Sequence, residues 1–240
     1  MSHSNLYSRQ KLNNVIAVVG CDGSGKSTLT ADLINHLQDK TTVELVYLGQ
    51  SSGNIGSWIK GLPVIGSSFG RYLDKKAKRS HNKKDSPPDL LTILVIYLLS
   101  QWRAHKFRKM LSQSRRGIAI ITDRYPQAEV AGFYFDGTGL GEIQQGNWLI
   151  RKLIKREQRL YECMASYVPA LVIRLNIDAE TAHARKPDHK LTMLHKKIMV
   201  IPKLQFNRAE ILDLDSCSPY EQVYNSACSA SEIKLISGSV

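Results

Sequence analysis

The segment Gly20–Ser27 carries residue types and a spacing that suit the binding of phosphate groups. It reads Gly-Cys-Asp-Gly-Ser-Gly-Lys-Ser and matches the pattern G-x-x-x-x-G-K-[ST] in full. The glycines let backbone N–H groups converge on phosphate oxygens, and the start of a following helix adds positive potential. The lysine of this pattern reaches the β- and γ-phosphates, and the serine ligates Mg²⁺. The sequence therefore predicts a loop for ATP and Mg²⁺ formed by Gly20, Asp22, Gly23, Ser24, Gly25, Lys26, Ser27 and Thr28.

A second carboxylate stands where a parallel sheet would bring it to the same place. Asp123 follows the apolar run Ile118–Ile121 and is itself followed by Arg124. Ligands of open α/β sheets bind outside the carboxyl ends of the strands. We therefore expect Asp123 to share the Mg²⁺ with Ser27, and Arg124 to face a phosphate as a catalytic residue. An aspartate that only caps a turn before Pro126 is the alternative.

The elements that must position these residues alternate along the chain. Val15–Val19 is a short β-branched run, and Leu29, Leu33 and Leu37 follow it at helical spacing. Such alternation predicts an α/β fold with a five-stranded parallel sheet and helices on both faces. The predicted strands are 15–19, 43–48, 118–121, 171–177 and 211–214, and the helices are 26–39, 90–111, about 142–166, one after Asp178 and one after Ser218.

Capping and turn residues help to locate three of these helix starts. Asp178 is a predicted N-cap, and the Gly-rich stretch 137–141 is expected to lead directly into the helix that begins near residue 142. Ser218, Pro219 and Glu221 suggest a capping box with proline at the first helical position. The last helix should then bury one face, formed by Val223, Ala227, Ala230 and Ile233.

Composition limits the class of protein. The chain has 240 residues and a formal net charge of +12, which favours anionic partners or, alternatively, a solubilising surface. Its four cysteines are far apart, so the sequence predicts reduced thiols and no zinc site, as is usual in the cytoplasm. The polar N-terminus lacks a signal peptide, and Leu90–Leu99 is too short for a membrane span. His183, His189 and His195 recur at a spacing that fits no helical metal site.

These motifs resemble those of the thymidylate kinase family. Val18–Leu29 is similar to that family's phosphate loop, including Asp22, which in the family contacts the sugar hydroxyl of the acceptor nucleotide. Leu98–His105 is similar to the helix that carries an acceptor-phosphate arginine, which would be Arg103, and Thr122–Tyr125 resembles its Asp-Arg-Tyr segment. The resemblance implies a P-loop NTPase fold of the nucleoside monophosphate kinase type. It also implies ATP-dependent phosphoryl transfer to a nucleotide or nucleoside, with Asp22, Arg103 and Arg124 at the acceptor.

The same resemblance extends towards the C-terminus. Leu175–Lys186 resembles the strand and helix that lead into the family's lid, which implies Arg185 and Lys186 as catalytic residues near the transferring phosphate. Residues 1–240 would then be a single kinase domain, with an irregular insertion at 49–89 on the acceptor side and a short lid region at 184–197.

One departure leaves the acceptor open. Where the family has Arg-Glu-Pro-Gly-Gly after the second strand, this chain has Tyr47–Gly53, followed by the long insertion. A kinase of a sugar or another metabolite is therefore an alternative. An ATP-binding regulatory or nucleic-acid-associated protein that uses the basic run Lys75–Lys84 is another, and a homodimer also stays open.

Overall fold

The computed structural model describes residues 7–49, 90–134, 139–143 and 146–236. The insertion predicted from residue 49, with its basic run, lies outside the described residues apart from Gly49. The first part of the predicted Gly-rich turn, residues 137–138, lies outside them too.

The sheet has five parallel strands, as the sequence predicts. Their spatial order is β2-β3-β1-β4-β5, so the strand that ends in the phosphate loop is central. Every neighbouring pair runs parallel. The strands are β1 Gln10–Gly20, β2 Val43–Tyr47, β3 Ala119–Asp123, β4 Tyr167–Asn176 and β5 Ile211–Asp215.

Six α-helices connect and cover these strands in the described parts of the chain. No described helix is both long and apolar enough to cross a membrane. The helices are α1 Lys26–Leu37, α2 Leu90–Arg115, α3 Trp148–Ala165, α4 Ala179–Arg185, α5 Leu191–Val200 and α6 Tyr220–Leu235, with short 3₁₀-helices at Leu140–Glu142 and Ile201–Lys203.

Strand β1 separates two apolar layers because its side chains alternate between the faces of the sheet. Val15, Ala17 and Val19 pack with residues of α2 and α3 on one face. Ile16 and Val18 pack with residues of α1 and α6 on the other. The helices on both faces confirm the predicted α/β fold, which is that of a P-loop NTPase.

Helix α3 begins later than the sequence analysis predicts. It starts at Trp148 rather than near residue 142, and a 3₁₀-helix occupies residues 140–142 instead. The reason is the cap: Asn147 has an extended backbone, and its Oδ1 accepts a hydrogen bond from the Ile150 N–H at 3.0 Å. The Gly-rich stretch therefore does not lead directly into the helix.

The predicted capping box of the last helix is also wrong. Helix α6 begins at Tyr220 and Pro219 is its N-cap, because Pro219 has an extended ψ of 131° and so precedes the first turn. The Ser218 hydroxyl donates to Asp215 Oδ2 at 3.4 Å instead of capping the helix. On the predicted buried face Val223 and Ala227 are buried, but Ile233 is 60% exposed and Leu235 is buried instead.

The predicted cap at Asp178 is confirmed. Its Oδ1 accepts a hydrogen bond from the Thr181 N–H at 2.7 Å, which satisfies one of the unpaired donors at the start of α4. Helix α4 then leads from the carboxyl end of β4 towards the phosphate loop.

Candidate functional site

The phosphate loop connects β1 to α1 in the predicted place. Gly23 and Gly25 have φ values of 86° and 85°, a left-handed conformation that glycine adopts without strain. This backbone carries the chain from the buried strand into the helix, whose N-cap is Gly25. Lys26 is buried, and its ammonium group donates to the carbonyls of Gly20 and Cys21 at 2.9 and 2.7 Å.

Ser27 and Asp123 meet at the carboxyl end of the sheet. The two strands β1 and β3 are neighbours, and the Ser27 hydroxyl lies 3.3 Å from Asp123 Oδ2. Asp123 is buried, and its Oδ1 has no hydrogen-bond partner within the described ranges. A buried carboxylate oxygen without a donor suits a hard cation, so this pair fits the predicted Mg²⁺ site.

No group of three or more His, Cys, Asp or Glu side chains in the described part of the chain could hold a metal by itself. Ser27 and Asp123 are the pair that fits the predicted Mg²⁺, which is usually held by one or two carboxylates together with substrate phosphates and water.

Asp22 is the centre of an ionic cluster beside the loop. Its Oδ1 lies 3.2 Å from Arg124 Nη2, and its Oδ2 contacts Lys197 Nζ and lies 3.6 Å from His189 Nδ1. Burial alone would raise the pKa of Asp22, but Lys197, Lys26 and Arg124 outweigh it and lower that pKa to about 2. Asp22 is therefore ionised at neutral pH.

Arg124 is held in an unusual backbone conformation directly after β3. Its φ is 71°, which costs a non-glycine residue on the order of 1–3 kcal/mol and is frequent at functional sites. The guanidinium donates from Nη1 to the Tyr47 hydroxyl at 2.5 Å and lies 5.3 Å from the centre of that ring. Asp22 and Tyr47 thus fix the direction of the Arg124 side chain.

The end of β2 contributes an aromatic ring between two cations. Lys106 of α2 lies 5.2 Å from the centre of the Tyr47 ring, and its Nζ donates to the Gly49 carbonyl at 2.8 Å. A side chain at Gly49 would collide with Tyr47 and would lie 2.6 Å from Arg124 Nη1. Burial, together with the charges of Arg103 and Arg124, lowers the pKa of Lys106 to about 8.

The predicted lid region lies over the phosphate loop. Arg185, at the end of α4, donates to the carbonyls of Gly23 at 3.4 Å and Ser216 at 3.0 Å. Cys21 of the loop and Leu194 of α5 belong to one small apolar cluster, which attaches α5 to the loop.

The phosphate loop, the ends of β2 and β3 and the residues around the end of α4 line one cavity of about 640 Å³. It brings together most of the predicted site residues, whereas Gly20, Ser24 and Arg103 are not in its wall. The wall is formed by Asp22, Gly23, Gly25, Lys26, Ser27, Thr28, Tyr47, Asp123, Arg124, Arg185, Lys186 and His189.

Comparisons with known proteins identify relatives but no broader family, since no protein-family model matches the chain. The chain is 57% identical over 216 residues to the uncharacterized ATP-binding protein YghS of Escherichia coli K12, an alignment that covers 90% of this chain and 91% of YghS. It is 43% identical over 222 residues to the uncharacterized ATP-binding protein YghR of the same strain, covering 92% and 88%. The chain belongs to the YghS/YghR family.

In this YghS/YghR-family chain Arg103 is separated from the cavity. It is 1% exposed and donates from Nη1 to the Tyr161 hydroxyl at 2.6 Å, within the interface of α2 and α3. Glu157 lies in the same interface and accepts from Ser100 at 2.5 Å. Burial raises the pKa of Glu157, although Ser100, the Leu140 N–H and Arg103 partly offset this effect. The role of Arg103 at an acceptor remains a prediction.

Four residues of the site were missed by sequence reasoning. Tyr47 could have been found, because it ends a predicted strand at the edge where ligands bind. His189 was set aside only as a metal ligand, and Lys106 lies one helical turn after Arg103. Lys197 offered no signal, since a lysine in a basic helix is ordinarily solvated.

Proposed function

We propose that this YghS/YghR-family chain is an ATP-dependent phosphotransferase of the P-loop kinase type, similar to thymidylate kinases. The acceptor proposed is a nucleoside monophosphate or a nucleoside. One observation carries the proposal: the Ser27–Asp123 pair and the cations Lys26, Arg124 and Arg185 belong to one cavity. The names of the relatives YghS and YghR support ATP as the donor.

The donor half of the mechanism follows from the phosphate loop. Backbone N–H groups of residues 23–28 would bind the phosphate oxygens of ATP, and Lys26 would exchange its carbonyl partners for the β- and γ-phosphates. Ser27 and Asp123 would hold Mg²⁺, which neutralises negative charge on the transferring phosphoryl group. The burial of Lys26 and Asp123 makes these electrostatic interactions stronger than they would be in water.

The acceptor half rests on Arg124 and Asp22. Arg124 points towards Asp22 and Tyr47 in the cavity wall, so an anionic group of the acceptor could bind it from the open side. Asp22 would accept a hydrogen bond from an acceptor hydroxyl. Positioning of this kind is the main contribution that a protein makes to phosphoryl transfer.

Arg185 and Lys186 would close the site on the donor side. Both line the cavity, and Arg185 already contacts the Gly23 carbonyl of the phosphate loop. Cations at this position would stabilise charge on the transferring group and exclude water, which would otherwise hydrolyse ATP.

A kinase of a sugar or another metabolite is the second candidate. It is favoured by Tyr47 and Gly49, which stand where thymidylate kinases carry the Arg-Glu-Pro-Gly-Gly segment. A nucleotide-dependent regulatory protein without an acceptor is the third reading, and acceptor-independent hydrolysis stimulated by RNA or DNA would favour it.

Release of ADP across a panel of acceptors tests the proposal. Nucleoside monophosphates, nucleosides, sugars and a reaction without acceptor are compared at fixed Mg-ATP. We expect at least one nucleotide or nucleoside to raise ADP release well above the rate without acceptor and to become phosphorylated itself. Stimulation only by a sugar would select the second candidate, and no stimulation by any acceptor would contradict the proposed transferase.

Lys26→Ala provides the matched inactive variant. It should lose phosphoryl transfer almost completely, because the amine that neutralises the transferring phosphates is gone, while the melting temperature changes little. Lys109→Ala, a change at an exposed lysine of α2 outside the cavity wall, serves as the control. Wild-type turnover in Lys26→Ala would remove Lys26 from the mechanism.

A further inference from the structure

Helix α3 presents a continuous basic surface that the proposed reaction does not use. None of its cations pairs with a carboxylate in the described part of the chain. Helix α3 has two acids: Glu157 is buried against Ser100, and Glu162, near the C-terminal end of the helix, accepts a hydrogen bond from Gln158 at 2.9 Å. The cations are all exposed and lie on one side of the helix: Arg151, Lys152, Lys155, Arg156 and Arg159.

The spacing of these cations destabilises helix α3 itself. Arg151 and Lys155 are four residues apart, as are Lys152 and Arg156, and like charges at this spacing destabilise a helix. Arg151 also lies in the first turn, where the helix dipole disfavours a cation and where the helix has no acid. Features that break local rules without a structural gain are expected at functional surfaces.

Apolar side chains are exposed beside these cations. Trp148, the first residue of α3, is 68% exposed, and Lys152 lies 5.7 Å from the centre of its ring. On the neighbouring helix α2, Leu98 and Trp102 are 61% and 46% exposed, and both are large residues that a helix usually buries.

The exposed sides of the two helices point in the same direction. Ser100 contacts Glu157, and Arg103 contacts Tyr161 further along both helices, so α2 and α3 run side by side and parallel. Both pack on the same face of the sheet. Their solvent sides therefore both face away from that sheet and form one surface, which we call the outer α2–α3 face.

We propose that the outer α2–α3 face docks on the surface of an anionic lipid bilayer. Its cations would bind lipid phosphates, while Trp148, Trp102 and Leu98 would enter the headgroup region, where aromatic and apolar side chains are stabilised. Nucleic acid would satisfy the cations equally well, but it offers nothing to an exposed leucine. On α3 a single exposed ring, Trp148, lies among the cations, whereas surfaces that stack successive bases present a series of rings.

Co-sedimentation with lipid vesicles tests this proposal on the full chain. Vesicles of phosphatidylglycerol and phosphatidylcholine in equal parts are compared with pure phosphatidylcholine. The wild type should sediment only with the anionic vesicles, and less so as salt rises. The variant Lys152→Glu/Lys155→Glu/Arg159→Glu should bind at least about 100-fold more weakly, since each cation near an anionic surface contributes severalfold to the affinity.

Net charge alone is controlled by a matched variant. Lys11→Glu/Lys196→Glu/Lys203→Glu changes three exposed lysines elsewhere. Each replacement removes two charge units, so three lower the net charge from +12 to +6 in both variants. If both variants lose vesicle binding equally, binding depends on net charge and not on the outer α2–α3 face. Binding of the wild type to pure phosphatidylcholine would also contradict the proposal, because those vesicles carry no net negative charge.

A further variant separates lipid from nucleic acid. Leu98→Ser/Trp102→Ser keeps every cation, and we expect it to bind anionic vesicles several-fold more weakly. Unchanged vesicle binding by this variant would overturn the apolar part of the proposal. If the wild type binds single-stranded RNA through the α3 cations but does not bind vesicles, the ligand of this face is nucleic acid and not lipid.

Discussion

At the scale of single residues, Asp22 determines how the cations of the site are arranged. An acid inside a phosphate-binding loop would repel a triphosphate if it stood alone. Here both Arg124 and Lys197 contact it, so two cations outweigh the one carboxylate. Asp22 therefore serves to hold cations from different parts of the chain next to Lys26.

The ionic cluster predicts a pH-dependent stability. Because the folded-state pKa of Asp22 is about 2 and its ordinary value is 3.8, the ionised group stabilises the folded protein above pH 3.8. That contribution, on the order of 2 kcal/mol, is lost as pH falls through about 2. Urea unfolding of Asp22→Asn should therefore show a deficit at pH 7 that disappears in strong acid.

Asp39→Asn, which changes an exposed acid after α1, is the control for this series. It should unfold like the wild type at each pH. A deficit in Asp22→Asn that stays constant from neutral to acid pH would mean that the ionic cluster does not stabilise the fold.

Lys106 should react faster with amine reagents than other lysines. At pH 8 about half of it would be neutral, because its pKa is about 8, whereas an ordinary lysine is almost fully protonated. Brief acylation at pH 8 followed by peptide mass spectrometry measures each site. We expect Lys106 to lead exposed lysines such as Lys109, and bound acceptor to protect it. An acylation rate of Lys106 that rises with pH along the same curve as that of Lys109, with no midpoint near pH 8, would contradict the lowered pKa.

At the scale of elements, helix α3 depends on a single polar cap. Its first turn has no acid to interact with the helix dipole, and it begins only where Asn147 can accept the Ile150 N–H. The fold therefore places Gly146 and Asn147 outside the helix, although the pattern of α3 in sequence extends further back.

Replacement of that cap should weaken the whole fold measurably. Asn147→Ala should lose about 1 kcal/mol, or about 2–4 °C in melting temperature, because the Ile150 N–H loses its acceptor. Asn147→Ser should retain most of the stability. Asn225→Ala, a change at an exposed position inside α6, is the control and should cost nothing. Equal melting of Asn147→Ala and the wild type would mean that α3 starts elsewhere.

The sequence was sufficient to predict the five-stranded sheet and the proximity of Lys26, Ser27 and Asp123 at its carboxyl edge. A local motif fixes Lys26 and Ser27, and a position at a strand end fixes Asp123, so these three placements required no tertiary information. The contacts of Lys197 and Lys106 depend on how helices cross the sheet, and no local pattern encodes that. The contact of Arg103 with Tyr161 likewise depends on how two helices pack, and its role at an acceptor stays a prediction.

At the scale of the whole molecule, the site is distributed over the chain. The cavity wall includes residues from the ends of β2 and β3, the phosphate loop and the region after α4. A ligand that contacts all of them can bind only when the sheet and its connections are formed. Binding should therefore raise the stability of the entire fold rather than of one segment.

A melting experiment measures this coupling. At about 100-fold excess over the dissociation constant, a non-hydrolysable ATP analogue with Mg²⁺ should stabilise the wild type by about 2.7 kcal/mol, or roughly 5–10 °C. Asp123→Asn should lose the part of the shift that requires Mg²⁺, while Asp39→Asn keeps it. No shift in the wild type at any nucleotide concentration would contradict nucleotide binding.

Arg174 constrains how the region above the phosphate loop can move. From β4 it forms paired hydrogen bonds to Asp213 of β5 at 2.6 and 2.7 Å, and it also donates to the carbonyls of Pro202 and Leu204. The segment after α5 is thereby fastened to the rigid sheet. If the proposed kinase opens its site by moving α5, we expect the hinge near Ile201, more than ten residues after Arg185.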